Sequence, residues 1–143
     1  MENKRLELLR SIIGTTVENH PSPVTKWLGA KITKAEQGLI EAEYLVRPEM
    51  CNVQGILQGG MLGTIIDDTM GATVFSLGGE YSFSTLNLNI DFLYPAKPNE
   101  IITAKCSATK EGKTIVYVEC WVYNKEGRLL AKSASNLVKL NQQ

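Results

Sequence analysis

The chain has 143 residues, a length that fits one domain burying about two-thirds of its unfolded surface. It is 43% hydrophobic and 21% charged, the profile of an ordinary soluble globular protein. Lys plus Arg and Asp plus Glu number 15 each and are scattered, so no net field recruits nucleic acid or an acidic membrane, and neither is expected as a partner.

The first segment, "NKRLELLRSIIGTTVENHP", carries Leu6, Leu9, Ile12, Ile13 and Val17 at helical spacing and predicts an N-terminal helix over residues 1–20. Met1 to Arg10 is charged and lacks the continuous apolar core of a secretory signal, so a cytoplasmic protein is expected. His20, the single histidine, precedes "PSP" and reads as a surface loop residue that builds no metal cluster. "TKWLGAKITKAEQGLIEAEYLVRPEM" reads as two strands around a turn at Gly38. A loop follows to about Leu57, then a helix over residues 59–76, apolar nearly all round. The second half is strand-like. In "STLNLNIDFLYP", Leu86, Leu88, Ile90 and Phe92 alternate with Thr85, Asn87, Asn89 and Asp91, which places the two sets on opposite faces. Three more strands follow, separated by turns at "KEGK" and "NKEGR". Cys51, Cys106 and Cys120 have no C-x-x-C spacing and read as reduced thiols. No stretch offers the roughly 20 consecutive apolar residues of a membrane span.

One long apolar helix among antiparallel strands predicts a single α+β domain over residues 1–143, its curved antiparallel sheet wrapped around the helix. Two adjacent carboxylates in that helix, Asp67 and Asp68, are then the anomaly, because a buried carboxylate needs a partner, a shifted pKa or a task. At 100° per residue Asp67 shares a face with Gly60, Gly63, Thr64 and Gly71, a stripe with space beside it for water or a substrate. The other reading of the stripe is a close helix contact in which Asp67 pairs with a basic residue. Asp68 falls with Met61, Ile65, Ala72 and Phe75. Gly59 and Gly60 open the helix, where free backbone amides suit a carbonyl oxygen that becomes an oxyanion in acyl transfer. Asn52, before Gly55, offers a side-chain amide as a further donor.

"NVQGILQGGMLGTIIDDTMG" resembles the signature of the PaaI-type hotdog-fold thioesterases, with Asn52, Gly55, Gly59, Gly60 and Asp67 in the signature positions. The likeness extends through "LNLNIDFLYPAKPNE" and "KEGKTIVYVEC", and covers roughly residues 24–140. The resemblance implies a hotdog fold and an acyl-CoA thioesterase, with coenzyme A as part of the substrate and no separate cofactor or metal. Asp67 would be the nucleophile or general base, and the Gly59 amide and Asn52 would polarise the thioester carbonyl. Thr85 would hold the attacking water, and its place on the polar face of the strand agrees. The departure is Gln58, where the family keeps a His: Gln can donate a hydrogen bond but cannot carry a proton to a leaving thiolate. A non-catalytic acyl-CoA-binding protein is therefore the alternative, and a hydratase on the same fold the third reading.

Gly59 and Asp67 stand eight residues apart, about 12 Å along a helix, too far for one thioester to touch both in one chain. A site across a homo-oligomer is implied, a dimer at least and a tetramer in the family's usual assembly. Lys97, Lys110 and Lys113 are candidates for the phosphates of coenzyme A, although each also reads as a solvated surface lysine. Gly60, Met61, Phe83, Tyr94 and Pro95 complete the expected substrate contacts.

Overall fold

A computed structural model describes residues 2–141. In chain order the elements are α1 (Lys4–Ser11), α2 (Pro23–Leu28), β1 (Lys31–Glu36), β2 (Leu39–Leu45), a 3-10 turn (Pro48–Met50), α3 (Gly59–Phe75), β3 (Ser82–Phe92), β4 (Ile101–Glu111), β5 (Ile115–Tyr123) and β6 (Leu129–Leu140). The first helix is shorter than its apolar spacing predicts, and Met1 lies outside the described residues. Asn3 caps its start by accepting a hydrogen bond from the Leu6 amide. It stops at Ser11 because Gly14 is left-handed (φ 83°) and the β-branched Thr15, Thr16 and Val17 follow. "TKWL", expected to begin a strand, is helical instead. Ser22 caps α2, Pro23 pre-sets its first turn and Gly29 ends it in the left-handed region, the usual start and stop residues of a helix.

The six strands form one antiparallel sheet in the order β1-β2-β4-β5-β6-β3. The last three strands run as a meander, as their turns predict. β3 departs from sequence order and lies at the far edge beside β6. Every second residue of β5 is buried, from Val116 to Val122, and these side chains meet α3 on the concave side of the sheet. Ile65, Ile66, Met70 and Val74 of α3 are fully buried there. This is the hotdog arrangement, a curved sheet around a central helix. Cys106 and Cys120 face each other across β4 and β5 as buried free thiols, and Cys51 is also free.

One polar cluster ties the helices to the sheet. Tyr44, fully buried on β2, donates to Asp68 Oδ2 at 2.8 Å, and its hydroxyl also pairs with Thr69 at 2.8 Å. Thr25 of α2 donates to the other Asp68 oxygen. Burial, and then the Asp68 charge, push the Tyr44 hydroxyl well above its ordinary pKa, so it stays a donor. Tyr44→Phe should therefore destabilise the protein by about 1 to 3 kcal/mol, the cost of leaving a partly buried acceptor short of a donor. Urea unfolding measures it, and a loss well below that range would mean that water replaces the hydroxyl.

Candidate active site

Two neighbouring aspartates on α3 have opposite surroundings. Both Asp68 oxygens are taken by the hydroxyls of Thr25 and Tyr44, so Asp68 is a structural bracket joining α2, β2 and α3. Asp67 is exposed, not buried as its place in an apolar helix implied. Its Oδ1 accepts a hydrogen bond of 2.7 Å from Thr85 Oγ1, and among the described residues its other oxygen has no partner. No basic side chain pairs with it among those residues, which removes the ion-pair reading of the glycine stripe.

Thr85 reaches Asp67 through an irregularity in β3. The pairing with β6 shifts between Thr85 and Asn87, so Leu86 is an extra residue in the strand. Uninterrupted alternation would put Thr85 on the face opposite Leu88 and Ile90. The bulge reverses the phase, so that Phe83 and Thr85 before it and Leu88 and Ile90 after it all turn toward α3. Sequence alternation thus gave Thr85 the wrong face. The bulge itself leaves Leu86 57% exposed.

The glycine stripe serves two purposes. A Cβ on Gly59 would sit 3.4 Å from the Phe92 ring, and one on Gly63 would sit 3.3 Å from Ile90 Cδ1. These two positions let β3 lie close against α3. Gly60 and Gly71 border a cavity instead. At the head of the helix Gln58 is the cap: its side-chain oxygen accepts from the Met61 amide at 2.8 Å, and its backbone oxygen accepts from Leu62. The Gly59 and Gly60 amides, the first two of the helix, have no partner among the described residues. Asn52 uses its side-chain oxygen to order its own loop, accepting from Gln54 at 2.9 Å and Ile56 at 3.4 Å. Its NH2 group is left over as a donor.

A cavity of about 990 Å³ adjoins Asp67 and Thr85. Phe83 lines it, as expected of a substrate contact, whereas Met61 lies outside the lining and packs against the core. Tyr94 and Pro95 are exposed and also lie outside it, with Arg128 stacked 4.1 Å over the Tyr94 ring. The three lysines are exposed but not gathered in one chain. Lys97 follows Ala96, whose carbonyl accepts from Leu57 just before α3 begins. Lys110 and Lys113 flank the β4–β5 turn, beyond Ala108, which neighbours Gly38 and Leu77 near the other end of α3. Sequence reasoning missed the cavity's other side. His20 is half-buried on its wall, with Nδ1 accepting from the Ser22 amide, and Leu9, Ile12 and Val17 line it too. The apolar spacing of that segment was visible, but nothing in it pointed across the fold to Asp67.

No three His, Cys, Asp or Glu side chains among the described residues are placed to hold a metal ion, and no described helix is long and apolar enough to cross a membrane. Comparison with known proteins supplies the rest. The human acyl-coenzyme A thioesterase 13 is 28% identical over 102 residues, covering 71% of this chain and 73% of that protein. A hypothetical thioesterase protein of Streptococcus pneumoniae, solved with coenzyme A, superposes with a TM-score of 0.75 at 27% identity, over 80% of this chain and 90% of its own. The Escherichia coli PaaI protein shares the fold at a TM-score of 0.85 and 18% identity, over 99% of this chain and 97% of its own. Residues 54–131 match the thioesterase superfamily, and the chain belongs to that superfamily, with the hotdog fold and the thioester-hydrolase class that the sequence resemblance implied.

Proposed function

We propose that the protein hydrolyses acyl-CoA thioesters to the free acid and coenzyme A, with Asp67 as the reacting carboxylate. The contrast between the two aspartates carries the reading. Asp68 has no oxygen to spare, while Asp67 has one oxygen fixed by Thr85 and one free beside a cavity. A carboxylate held in this way can take a proton from water as that water attacks the thioester carbon, or can attack the carbon itself to give an anhydride that water then cleaves. In either route the carbonyl oxygen gains the negative charge, and the Gly59 amide at the positive end of α3 is the donor suited to hold it. Collapse of the tetrahedral species breaks the C–S bond and releases the coenzyme A thiolate, which takes up a proton. Because Thr85 donates to Asp67, its oxygen lone pairs remain free to accept from the attacking water. The names of the relatives support the acyl-CoA substrate: one is an acyl-coenzyme A thioesterase, and another holds coenzyme A.

Asp67→Ala should lower kcat/KM in a thiol-release assay by about two to four orders of magnitude, the range that a positioned general base contributes. Thr85→Ala should cost roughly tenfold, the equivalent of one hydrogen bond, and Thr85→Ser much less. Asp68→Asn should act mainly on stability. An Asp68 variant more damaged in rate than the Asp67 variant would reverse the assignment.

Gln58 tests how much the leaving group needs an acid. Its cap on Met61 is a role in its own right. A His at 58 can accept the same amide through a ring nitrogen and, near its ordinary pKa of about 6.5, also donate a proton. Gln58→His should keep the fold and leave turnover unchanged or raised. A large loss on this change, from an active parent, would mean that the glutamine amide itself contacts the substrate. Binding of acyl-CoA without thiol release by either protein would favour a ligand-binding protein over an enzyme.

The distance along α3 supports a site shared between two chains. Gly59 and Asp67 belong to one straight helix, about 12 Å apart, and the outer edge of β3 has no strand partner among the described residues. Phe92 and Leu93 at the end of that strand are 57% and 55% exposed, the kind of apolar edge that a second copy covers. Subunit mixing measures this directly. Gly59→Pro removes the amide at a helix position that tolerates proline. Its ring also presses on Phe92, so the variant enters the mixture only if its circular dichroism and urea midpoint match the parent's. Equal amounts of Asp67→Ala and Gly59→Pro chains, unfolded and refolded together, should regain about one quarter of the parent activity, because each mixed dimer rebuilds one intact site. A mixture as inactive as its components would place the whole site within one chain.

A further inference from the structure

We propose that the N-terminal segment, α1 with the loop to Ser22, is the wall of the acyl pocket that sets chain length, and that the acyl group is an unbranched aliphatic chain of roughly eight carbons or more. This rests on the thioesterase reading above and adds the substrate class and the residues that select it. The cavity beside Asp67 lies between β2 on one side and the Phe83–Leu88 stretch of β3 on the other, with α3 as its floor. Leu9, Ile12 and Val17 close it from the N-terminal side. These residues, like Ile32 and Ile40 opposite, lie outside the 54–131 stretch that matches the superfamily.

The segment is pinned rather than loosely draped. Asn3 donates to the Ser76 carbonyl at 2.8 Å, Arg5 donates to the Tyr81 carbonyl at 3.0 Å and stacks 4.8 Å from the Phe75 ring, and Arg10 donates to the Ala35 carbonyl at 3.0 Å. A wall fixed at both flanks of the cavity can measure a ligand.

Size, shape and polarity choose the occupant. The volume of about 990 Å³ is at the upper end of ligand pockets. The lining reaches along α3 from Asp67 to Phe75, eight residues or about 12 Å, which matches roughly nine methylene groups in an all-staggered chain. A single aromatic ring would leave most of that space without contacts. The polar groups that reach the wall are engaged with one another: Asp68 with Thr25 and Tyr44, and His20 Nδ1 with the Ser22 amide. Thr15 and Thr64 donate to the carbonyls of Ile12 and Gly60. These groups call for no polar substituent on the acyl group, and the apolar lining is mostly aliphatic, with Phe75 and Phe83 as its aromatic members.

The test is the dependence of kcat/KM on acyl length, from acetyl-CoA to palmitoyl-CoA with phenylacetyl-CoA as the ring comparison. In the parent, specificity should rise about fourfold per buried methylene group until the chain meets the wall. Ile12→Trp should cut the ratio of decanoyl to butyryl specificity at least tenfold, and Ile12→Ala should move the optimum to longer chains. Ile13→Trp, one residue on but outside the lining, should keep the parent's ratio, which separates the wall from a general disturbance of the loop. A flat length profile, a preference for phenylacetyl-CoA, or equal ratios in the parent and both Ile12 variants overturns the proposal. If the parent releases no thiol from any substrate, the thioesterase reading fails, and calorimetric binding of the same acyl-CoA series to the parent and Ile12→Trp decides the pocket separately. Affinity that rises with length in the parent and is truncated in the variant upholds it, and matching profiles overturn it.

Discussion

The close approach of β3 to α3 is the constraint on which the site depends. Thr85 lies on a strand at the edge of the sheet, and Asp67 lies on a helix that the rest of the sheet holds from the other side. A hydrogen bond of 2.7 Å between them requires the strand to ride almost on the helix backbone. Gly59 and Gly63 make that possible, since even a methyl group at either would touch Phe92 or Ile90. The same lack of bulk continues at Gly60 and Gly71, where a cavity remains, with Phe83 of β3 coming within 3.8 Å of a Cβ placed on Gly71. One run of glycines therefore sets both the strand that orients the carboxylate and the room in which a substrate can meet it.

On the proposed mechanism, the neighbouring aspartates let a single helix separate structure from chemistry. They are 100° apart around the axis, so each faces a different layer. Asp68 turns toward β2 and α2, where the buried Tyr44 hydroxyl and the half-buried Thr25 hydroxyl meet its charge, and its partial desolvation is offset by the hydrogen bonds it accepts. Asp67 turns toward the free edge, where one hydroxyl fixes its orientation without occupying it. A carboxylate with both oxygens engaged is a poor base. One with none engaged would be free to rotate. Asp67 lies between these extremes.

The architecture was legible because it rests on periodicity and turn residues. A 17-residue apolar run opened by two glycines, followed by strands with clean turns, leaves few folds other than a sheet around a helix. Three features were not legible, each for a physical reason. The N-terminal apolar spacing continues past Ser11, but backbone preference at Gly14 and the β-branched residues after it ends the helix. The "SPVTKWLG" stretch carried a cap, a proline and a terminal glycine, and these local signals outweighed a pattern that also fits a strand. At Thr85 the alternation of β3 looked unbroken, because a bulge adds a residue without altering the chemical pattern and shows only in the pairing with β6. Of the residues in the proposed site, Asp67 and Gly59 could be proposed from helix phase and position, while the Gln58 cap on Met61 and the Asn52 loop bonds needed coordinates.

The bulge also bears on why the site sits at an edge. A regular strand pairs on both sides and offers one face to the core. β3 pairs only with β6 among the described residues, the bulge interrupts that pairing, and the two halves of the strand present opposite sets of residues to α3. Before the bulge, Phe83 and Thr85 face the cavity and the carboxylate. After it, Ile90 and Phe92 press on the glycines at the head of the helix. The strand thus spans both chemical ends of α3, the Asp67 region with its first half and the free Gly59 amide with its second. Those ends are about 12 Å apart and cannot meet in one chain. Two such strands running antiparallel along their free edges would bring the first half of one against the second half of the other. In the proposed two-chain site, the feature that orients Asp67 within the chain would then also present it to the amide of another.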